Sequence, residues 1–224
     1  ALKMHGGVPK QELNTENVEA VTKGFSNLQK AIENMRYFNV PVLVAINKFA
    51  SDTDAEIAEL TRLCDEFGVP VELNECWEKG GEGGTDMAKK VVELLEGPKP
   101  TPKFVYDLED SLEDKVNKIV KTIYGGDGVI FTDKAKKQIK QLADWGLDRL
   151  PVCMAKTQYS LSDNPALLGA PTGFTITVSD IRVANGAGFI VCRTGDVMVM
   201  PGLPKRPAAL NMDIEADGTI KGLF

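Results

Sequence analysis

An apolar run at residues 41–46 constrains the fold of this chain more than any other feature. The run is bounded by turn signals and predicts a buried β-strand. Thr53 then begins a helical pattern, which ends at Gly68 before a second strand-like run at residues 69–73. A strand, a helix and a strand in this order predict a right-handed βαβ unit with parallel strands. Ligands of such open sheets bind in the crevice at the carboxyl ends of the strands.

Two aromatic residues follow the predicted strands. Phe49 comes after the first strand, and Leu73 and Trp77 come at the end of the second. Because parallel strands end at the same edge of a sheet, the rings of Phe49 and Trp77 are expected near one another, where they can hold a flat heterocycle by stacking. The alternative is that both rings pack beneath a loop, and the residues alone leave the two interpretations open.

Composition excludes several classes of protein. The net charge of −6 over 224 residues argues against a broad nucleic-acid surface. The apolar runs are far shorter than the roughly 20 residues of a membrane helix. His5 is the only histidine and the four cysteines form no C-x-x-C pair, so no metal site is expected. Widely spread cysteines favour reduced thiols in a cytoplasmic protein.

The rest of the chain continues the α/β pattern. A helix is predicted at residues 16–37, a mobile glycine loop at 80–84, and a helix at 85–95 capped by Thr85. The loop glycines either allow a backbone to approach a ligand or form a plain flexible connection. Further helices are predicted at 111–124 and 132–145, with strands at 129–131 and 151–155 that would close a second βαβ unit.

The last third changes character. Lys156, Gln158, Ser160 and Asp163 either line a polar pocket or form a self-capped turn. Strand-like runs at 174–178, 188–192 and 197–200 predict an antiparallel meander, and Asp217 with Gly218 predicts a hairpin turn. The predicted fold class is α/β, with mixed sheets and flanking helices. Rossmann-like βαβ units are followed by a smaller α+β C-terminal domain with antiparallel strands.

Nucleotide-binding motifs are missing or incomplete. The chain has no G-x-x-x-x-G-K-[ST] loop and no Rossmann glycine fingerprint. Residues 45–48, Ala-Ile-Asn-Lys, are similar to the strand-end N-K-x-D motif of P-loop GTPases, but Ala50 stands where that motif has its acid and Asp52 comes two residues later. A degraded GTPase relative is therefore one hypothesis among others, and no catalytic acid or base is assigned.

Several sequence blocks resemble one enzyme family. The opening ALKMHGG is similar to the second half of the signature V-A-T-[IV]-R-A-L-K-x-[HN]-G-G of formate–tetrahydrofolate ligase, also called 10-formyltetrahydrofolate synthetase. The blocks VLVAINKF, ECWEKGGEGG, MAKTQYSLSDNP and MPGLPKRPAA, with a terminal GLF, also resemble that family in order. The sequence pattern resembles the monofunctional bacterial enzymes more than the eukaryotic multidomain synthases. Family members are longer, and their P-loop lies before the matching region, so the chain resembles their C-terminal portion.

The resemblance implies a reaction and a set of ligands. Formate, ATP and tetrahydrofolate would give 10-formyltetrahydrofolate, ADP and phosphate through formyl phosphate, with Mg²⁺ and a monovalent cation (K⁺ or NH₄⁺). The expected assembly is a cytoplasmic homotetramer completed by the N-terminal half of the same enzyme. Residues 1–37 would end the nucleotide-binding domain, 38–126 would form the folate-binding α/β domain, and 127–224 the C-terminal α+β domain.

The resemblance also implies site residues. The folate pterin would lie between Phe49 and Trp77, beside Leu73, and the adenine of ATP would lie against Ala170, Pro171, Thr172 and Gly173. The alternative function is a stand-alone folate-binding or interaction module without catalysis.

Overall fold

Helices and strands alternate through most of the chain, in a computed structural model that describes residues 1–195, 197 and 205–222. The α-helices are α1 Leu2–His5, α2 Val18–Tyr37, α3 Asp54–Glu66, α4 Cys76–Lys79, α5 Thr85–Leu95, α6 Leu112–Ile119 and α7 Asp133–Asp144. The strands are β1 Val44–Asn47, β2 Val71–Asn74, β3 Gly128–Phe131, β4 Val152–Ala155, β5 Thr175–Ala184, β6 Phe189–Thr194, β7 Asp213–Ile214 and β8 Ile220–Lys221. Short 3₁₀ helices lie at Lys10–Glu12, Gly80–Gly84 and Ala208–Asn211, and a π-helix at Val120–Tyr124. None of the described helices is long and apolar enough to cross a membrane.

The first βαβ unit is confirmed. Strands β1 and β2 pair in parallel, with Ile46 opposite Leu73 and Asn47 opposite Asn74. Helix α3 connects them and begins with a capping box, in which the side chain of Thr53 accepts from the backbone N–H of Glu56. Both strands therefore end at one edge of this two-stranded sheet.

Helix α2 packs on the first βαβ unit. The side chain of Asn17 accepts from the N–H of Ala20, so the helix begins at Val18, two residues later than the pattern predicts. Apolar side chains of α2 share one buried cluster with residues of β1 and α3 and with Val69, two residues before β2. The buried members are Phe25, Ile32, Val44, Cys64 and Val69.

The prediction of a second βαβ unit is wrong. The second sheet has the order β3-β5-β6-β4, in which β3 is parallel to β5, β5 antiparallel to β6, and β6 parallel to β4. Strands β3 and β4 thus lie at opposite edges and run in opposite directions. Burial explains the order, because Ile176 of β5 and Ile190 of β6 are fully buried in the centre, whereas Ile130 of the edge strand β3 is 54% exposed.

A second apolar cluster joins this sheet to helices α6 and α7. The side chains of Ser111 and Thr132 cap the two helices as predicted. The cluster includes Leu112 and Val116 of α6, so α6 packs with the second sheet rather than with the first βαβ unit. The predicted domain boundaries at residues 37 and 126 remain predictions.

Two smaller predictions concern short segments. The hairpin turn is confirmed, because β7 and β8 pair antiparallel and the N–H of Gly218 donates to the carbonyl of Glu215 at 2.9 Å. Helix α5 begins at Thr85, but Gly84 occupies the N-cap position and no side chain caps it. The antiparallel pair β5–β6 accounts for two strands of the predicted meander. Residues 198–200 of its third strand lie outside the described residues.

Candidate functional site

The carboxyl ends of β1 and β2 bring the two predicted aromatic positions to one sheet edge. The N–H of Lys48 donates to the carbonyl of Asn74 at 3.1 Å, which extends the pairing by one residue beyond the strands. Phe49 follows at once, and Trp77 lies in the short helix α4 after β2. Phe49 is 57% exposed and Trp77 is 75% exposed, whereas Leu73 is half-buried in the sheet. Neither ring packs beneath a loop.

A tight turn holds Phe49 in place. Its N–H donates to Oδ2 of Asp52 at 2.9 Å, and the N–H of Asp52 donates back to the carbonyl of Phe49 at 3.0 Å. These two hydrogen bonds close residues 49–52 into a tight turn, and the phenyl group of Phe49 remains exposed. Asp52 is thus a site residue that the sequence analysis missed. Its signal was an Asp three residues after Phe49 and just before a helix N-cap.

Phe49 lines a cleft of about 430 Å³ between β1 and helices α1, α2 and α3. This volume is in the range of small-molecule sites. Polar atoms enter it from Asn47 and Asp52. Leu73 and Trp77 are not among its lining residues, so the structure places Phe49 in the cleft and Trp77 outside its wall. The apolar lining comes from Val21, Leu28, Ala31, Val44, Ile46, Ile57 and Leu60.

A buried ion pair forms one wall of this cleft. Nζ of Lys3 lies 2.9 Å from Oε1 of Glu56, and both side chains are almost fully buried. The N–H of Asn17 donates to the same oxygen at 2.7 Å. Burial raises the pKa of Glu56, but the hydrogen bonds from Asn17, Lys3 and Thr53 outweigh it and leave the pKa below its usual value. The T-x-x-E spacing of the capping box was the missed sequence signal.

Glu75 organises the segment that carries Trp77. Its carboxylate binds Lys48 at 3.4 Å and Lys79 at 2.6 Å, and the hydrogen bond from Lys79 is the main reason that its pKa is lowered. Its N–H donates to the carbonyl of Gly83 at 3.0 Å. A Cβ on Gly83 would lie 2.5 Å from the carbonyl group of Glu75, so only glycine allows this approach.

The glycine-rich segment after Trp77 is therefore not the mobile loop that its composition predicts. Residues Gly80–Gly84 form a 3₁₀ helix, and the close approach at Gly83 is to the protein's own backbone. The segment holds the base of the α4 helix in place.

The predicted adenine loop lines a second cleft, of about 350 Å³. Ala170, Pro171 and Thr172 contribute to its wall, and Gly173 does not. The opposite wall is one face of α2, and Tyr124 and Gly125 at the end of the π-helix close one side. The α2 residues are Ser26, Gln29, Lys30 and Glu33.

The polar loop after β4 is a self-capped turn, so the alternative of a polar pocket is not supported. The hydroxyl of Ser160 accepts from the N–H of Ser162 at 3.0 Å and donates to the carbonyl of Leu167 at 2.6 Å. The carboxylate of Asp163 accepts from the N–H of Thr177 at 2.8 Å. Lys156 donates to backbone carbonyls of the same loop, and its burial lowers its pKa. These bonds fix the chain that leads into residues 170–173.

Side chains of α1 and α2 hold the second cleft together. Asn34 donates to the carbonyl of Ile123 at 2.8 Å, and Lys30 donates to that of Thr122 at 3.0 Å. Asn27 donates to the carbonyl of Gly169 at 2.9 Å, and Nδ1 of His5 accepts from the Gly169 N–H at 3.1 Å. No periodicity in the sequence signals these contacts, because each joins residues more than 80 positions apart.

Two of the four cysteines, Cys64 and Cys192, are buried, whereas Cys76 and Cys153 are exposed. Burial raises the pKa of Cys64 to about 11 and that of Cys192 to about 12, so both thiols stay protonated at neutral pH. Within the part of the chain that the structure describes, no three His, Cys, Asp or Glu side chains come together as metal ligands. The described residues therefore do not fit a Mg²⁺ site.

The geometry thus offers an exposed aromatic pair at a sheet edge and two clefts on either side of α2. Comparison with known proteins gives the family. A family model described as formate–tetrahydrofolate ligase matches residues 1–224, over the full length of the chain. The chain therefore belongs to the formate–tetrahydrofolate ligase family, whose reaction is the ATP-dependent ligation of formate to tetrahydrofolate.

Proposed function

We propose that this chain supplies the pterin-binding surface and part of the adenine-binding surface of a formate–tetrahydrofolate ligase. The overall reaction would convert formate, ATP and tetrahydrofolate to 10-formyltetrahydrofolate, ADP and phosphate, with formyl phosphate as the intermediate. Family membership over residues 1–224 supports the reaction class. The observation that carries the assignment of roles is the exposure of two aromatic rings beyond the ends of adjacent parallel strands.

Exposed aromatic rings favour a ligand-binding role at this edge. An indole that is 75% exposed is accessible to a ligand, and covering it would remove apolar area from water. A pterin is flat and aromatic, and stacking on such rings is worth about 1 kcal/mol beyond the area buried. Phe49 also lines the 430 Å³ cleft, whereas Leu73 and Trp77 lie outside its wall. In this proposal the pterin lies between Phe49 and Trp77, with Leu73 beneath.

The second cleft supports the adenine assignment. Backbone groups of Ala170, Pro171 and Thr172 would meet the purine edge, and the phenol ring of Tyr124 lines the same cleft. Gly173 follows them in the proposed adenine loop but lies outside the cleft wall. Burial raises the pKa of Tyr124 to about 12, so the ring stays neutral and its hydroxyl remains a hydrogen-bond donor.

The division of labour follows from what the sequence lacks. Without a G-x-x-x-x-G-K-[ST] loop, these 224 residues contain no recognised phosphate cradle, so phosphoryl transfer would need groups from the N-terminal half of the enzyme. Mg²⁺ and the monovalent cation would act with those groups. This chain's contribution would be proximity, because a fixed pterin holds its N10 atom near the formyl carbon. A cytoplasmic homotetramer remains part of the proposal.

Binding and turnover measured on the same preparation test this division. Anaerobic calorimetry of the 224-residue chain should detect tetrahydrofolate binding and, separately, ATP binding. A mixture with formate, MgATP and tetrahydrofolate should release no ADP above the formate-free control. Formate-dependent ADP release by the chain alone would contradict the division of labour. Failure to bind tetrahydrofolate would contradict the pterin assignment.

A further inference from the structure

Gly169 is held at both of its backbone groups, directly before the predicted adenine loop. Its N–H donates to Nδ1 of His5 at 3.1 Å, and its carbonyl accepts from Nδ2 of Asn27 at 2.9 Å. Its φ of +71° is one that residues with side chains rarely adopt, and an added Cβ would lie 2.9 Å from Oγ of Ser26. The chain therefore enters residues 170–173 from a point fixed by α1 and α2.

The contact with His5 requires one protonation state of the imidazole. A backbone N–H can only donate, so Nδ1 of His5 must present its lone pair to Gly169. The single proton of the neutral ring is then on Nε2. When the ring takes a second proton, Nδ1 becomes a donor that faces another donor, and the hydrogen bond is lost.

We infer that His5 is a positioning residue for the adenine-binding loop, and that protonation of its imidazole releases this loop. The part of the inference that concerns adenine rests on the proposed function. The part that concerns the His5–Gly169 contact stands on the geometry of α1, α2 and Gly169 alone.

The surroundings of His5 favour the neutral ring. Partial burial is the main cause that lowers its pKa. Of the nearby lysines, Lys3 is paired with Glu56, and Nζ of Lys23 on α2 lies 4.0 Å from where a Gly7 Cβ would be. On the loop side, residues 164–173 carry no ionisable side chain.

The direction of the pH effect follows from this lowered pKa. The unfolded chain binds a proton on His5 near its ordinary pKa of about 6.5, whereas the folded chain binds it only at lower pH. The contact therefore contributes fully above about pH 6.5, and its contribution is lost as the pH falls through the folded-state pKa. At neutral pH the loop is held, and below the folded-state pKa of His5 it is released.

Nuclear magnetic resonance of the full chain tests the contact without any ligand. The ring nitrogens of His5 and the amide proton of Gly169 should titrate with one shared midpoint below pH 6.5. In His5→Asn the amide oxygen can accept the same N–H at every pH, so the Gly169 signal should not titrate. A Gly169 amide that ignores the His5 midpoint, or that titrates equally in His5→Asn, would overturn the inference.

Calorimetry with ATP then tests the positioning role. At pH 8 we expect His5→Ala to bind ATP about fivefold more weakly than the wild type, the size expected for one lost hydrogen bond. At a pH below the His5 midpoint found by nuclear magnetic resonance, the wild type should bind ATP about fivefold more weakly than His5→Asn. The comparison with His5→Asn at one pH cancels protonation of the nucleotide itself. The same comparison of wild type with His5→Asn tests the positioning role if His5→Ala does not fold.

The two experiments separate the inference from the proposed function. If Gly169 titrates with His5 but ATP does not bind at any pH, the contact stands and the adenine assignment fails. If ATP binds equally to wild type, His5→Ala and His5→Asn at both pH values, the positioning role is overturned while the adenine assignment survives.

Discussion

Replacement of Trp77 by alanine is the sharpest test of the proposed pterin-binding surface. The indole is 75% exposed on a four-residue helix, and Glu75 and Gly83 hold the base of that helix through their backbones. Removing the ring therefore takes little from any core, and the free energy of unfolding should change by less than about 0.5 kcal/mol. An effect on tetrahydrofolate binding can then be attributed to the lost ring.

The expected effect on binding follows from the exposed area. A buried indole covers roughly 200 Å², and a stacked pterin would cover one face, about 60 Å². At about 25 cal/mol per Å² this area is worth about 1.5 kcal/mol, and stacking adds about 1 kcal/mol. The sum of about 2.5 kcal/mol corresponds to a Kd for tetrahydrofolate that is roughly 60-fold higher. The entropy cost of association is common to both variants and cancels.

Anaerobic calorimetry measures this Kd, and Trp145 provides a matched control. Trp145 is also exposed, at 58%, but it lies at the carboxyl end of α7 on the second sheet. Trp145→Ala should leave the Kd within about twofold of the wild type. Equal affinities of wild type and Trp77→Ala, or equal losses in both tryptophan variants, would refute the stacking argument. Tetrahydrofolate should quench fluorescence in Trp145→Ala and not in Trp77→Ala.

Three further substitutions test the structure around the clefts. Lys115→Ala should lower the free energy of unfolding by about 3 kcal/mol in chemical denaturation, since a fully buried ammonium that binds two loop carbonyls is lost; an unchanged midpoint would contradict this. Gly83→Ala should cost about 2 kcal/mol by the same measurement, whereas Gly81→Ala, where the added Cβ meets open space, should cost far less; equal effects would exclude the close approach. Asp52→Ala should raise the tetrahydrofolate Kd about threefold in calorimetry, because Phe49 loses the bond that fixes its turn, and an unchanged Kd would show that the turn does not matter.

Local patterns predicted the elements of this fold well. The apolar run at residues 41–46 and the helical pattern after Thr53 are sufficient to predict a βαβ unit, because the crossover rule leaves few alternatives. The caps at Ser111 and Thr132 were also readable, since each is a short-range hydrogen bond.

The strand order and the contacts between residues far apart in the sequence could not be predicted from local patterns. The sequence pattern of a helix between β3 and β4 is the same whether the two strands are neighbours or lie at opposite edges of the sheet. The insertion of the β5–β6 pair between them determines the strand order. The hydrogen bond from Gly169 to His5 could not be predicted for the same reason, since the two residues lie 164 positions apart in the sequence. The glycines of the segment at 80–84 were ambiguous because glycine permits both mobility and close packing, and the backbone of Glu75 selects the second.

Helix α2 serves both clefts at once. Val21, Leu28 and Ala31 face the space beside Phe49, while Gln29 and Glu33 face the space beside Pro171. This helix of 20 residues is about 30 Å long, and the residues on its two faces move together when the helix shifts. If the proposed sites are correct, a substitution that tilts this helix will disturb folate and nucleotide affinity in the same variant. Screens that score only one of the two substrates would attribute such a change to the wrong pocket.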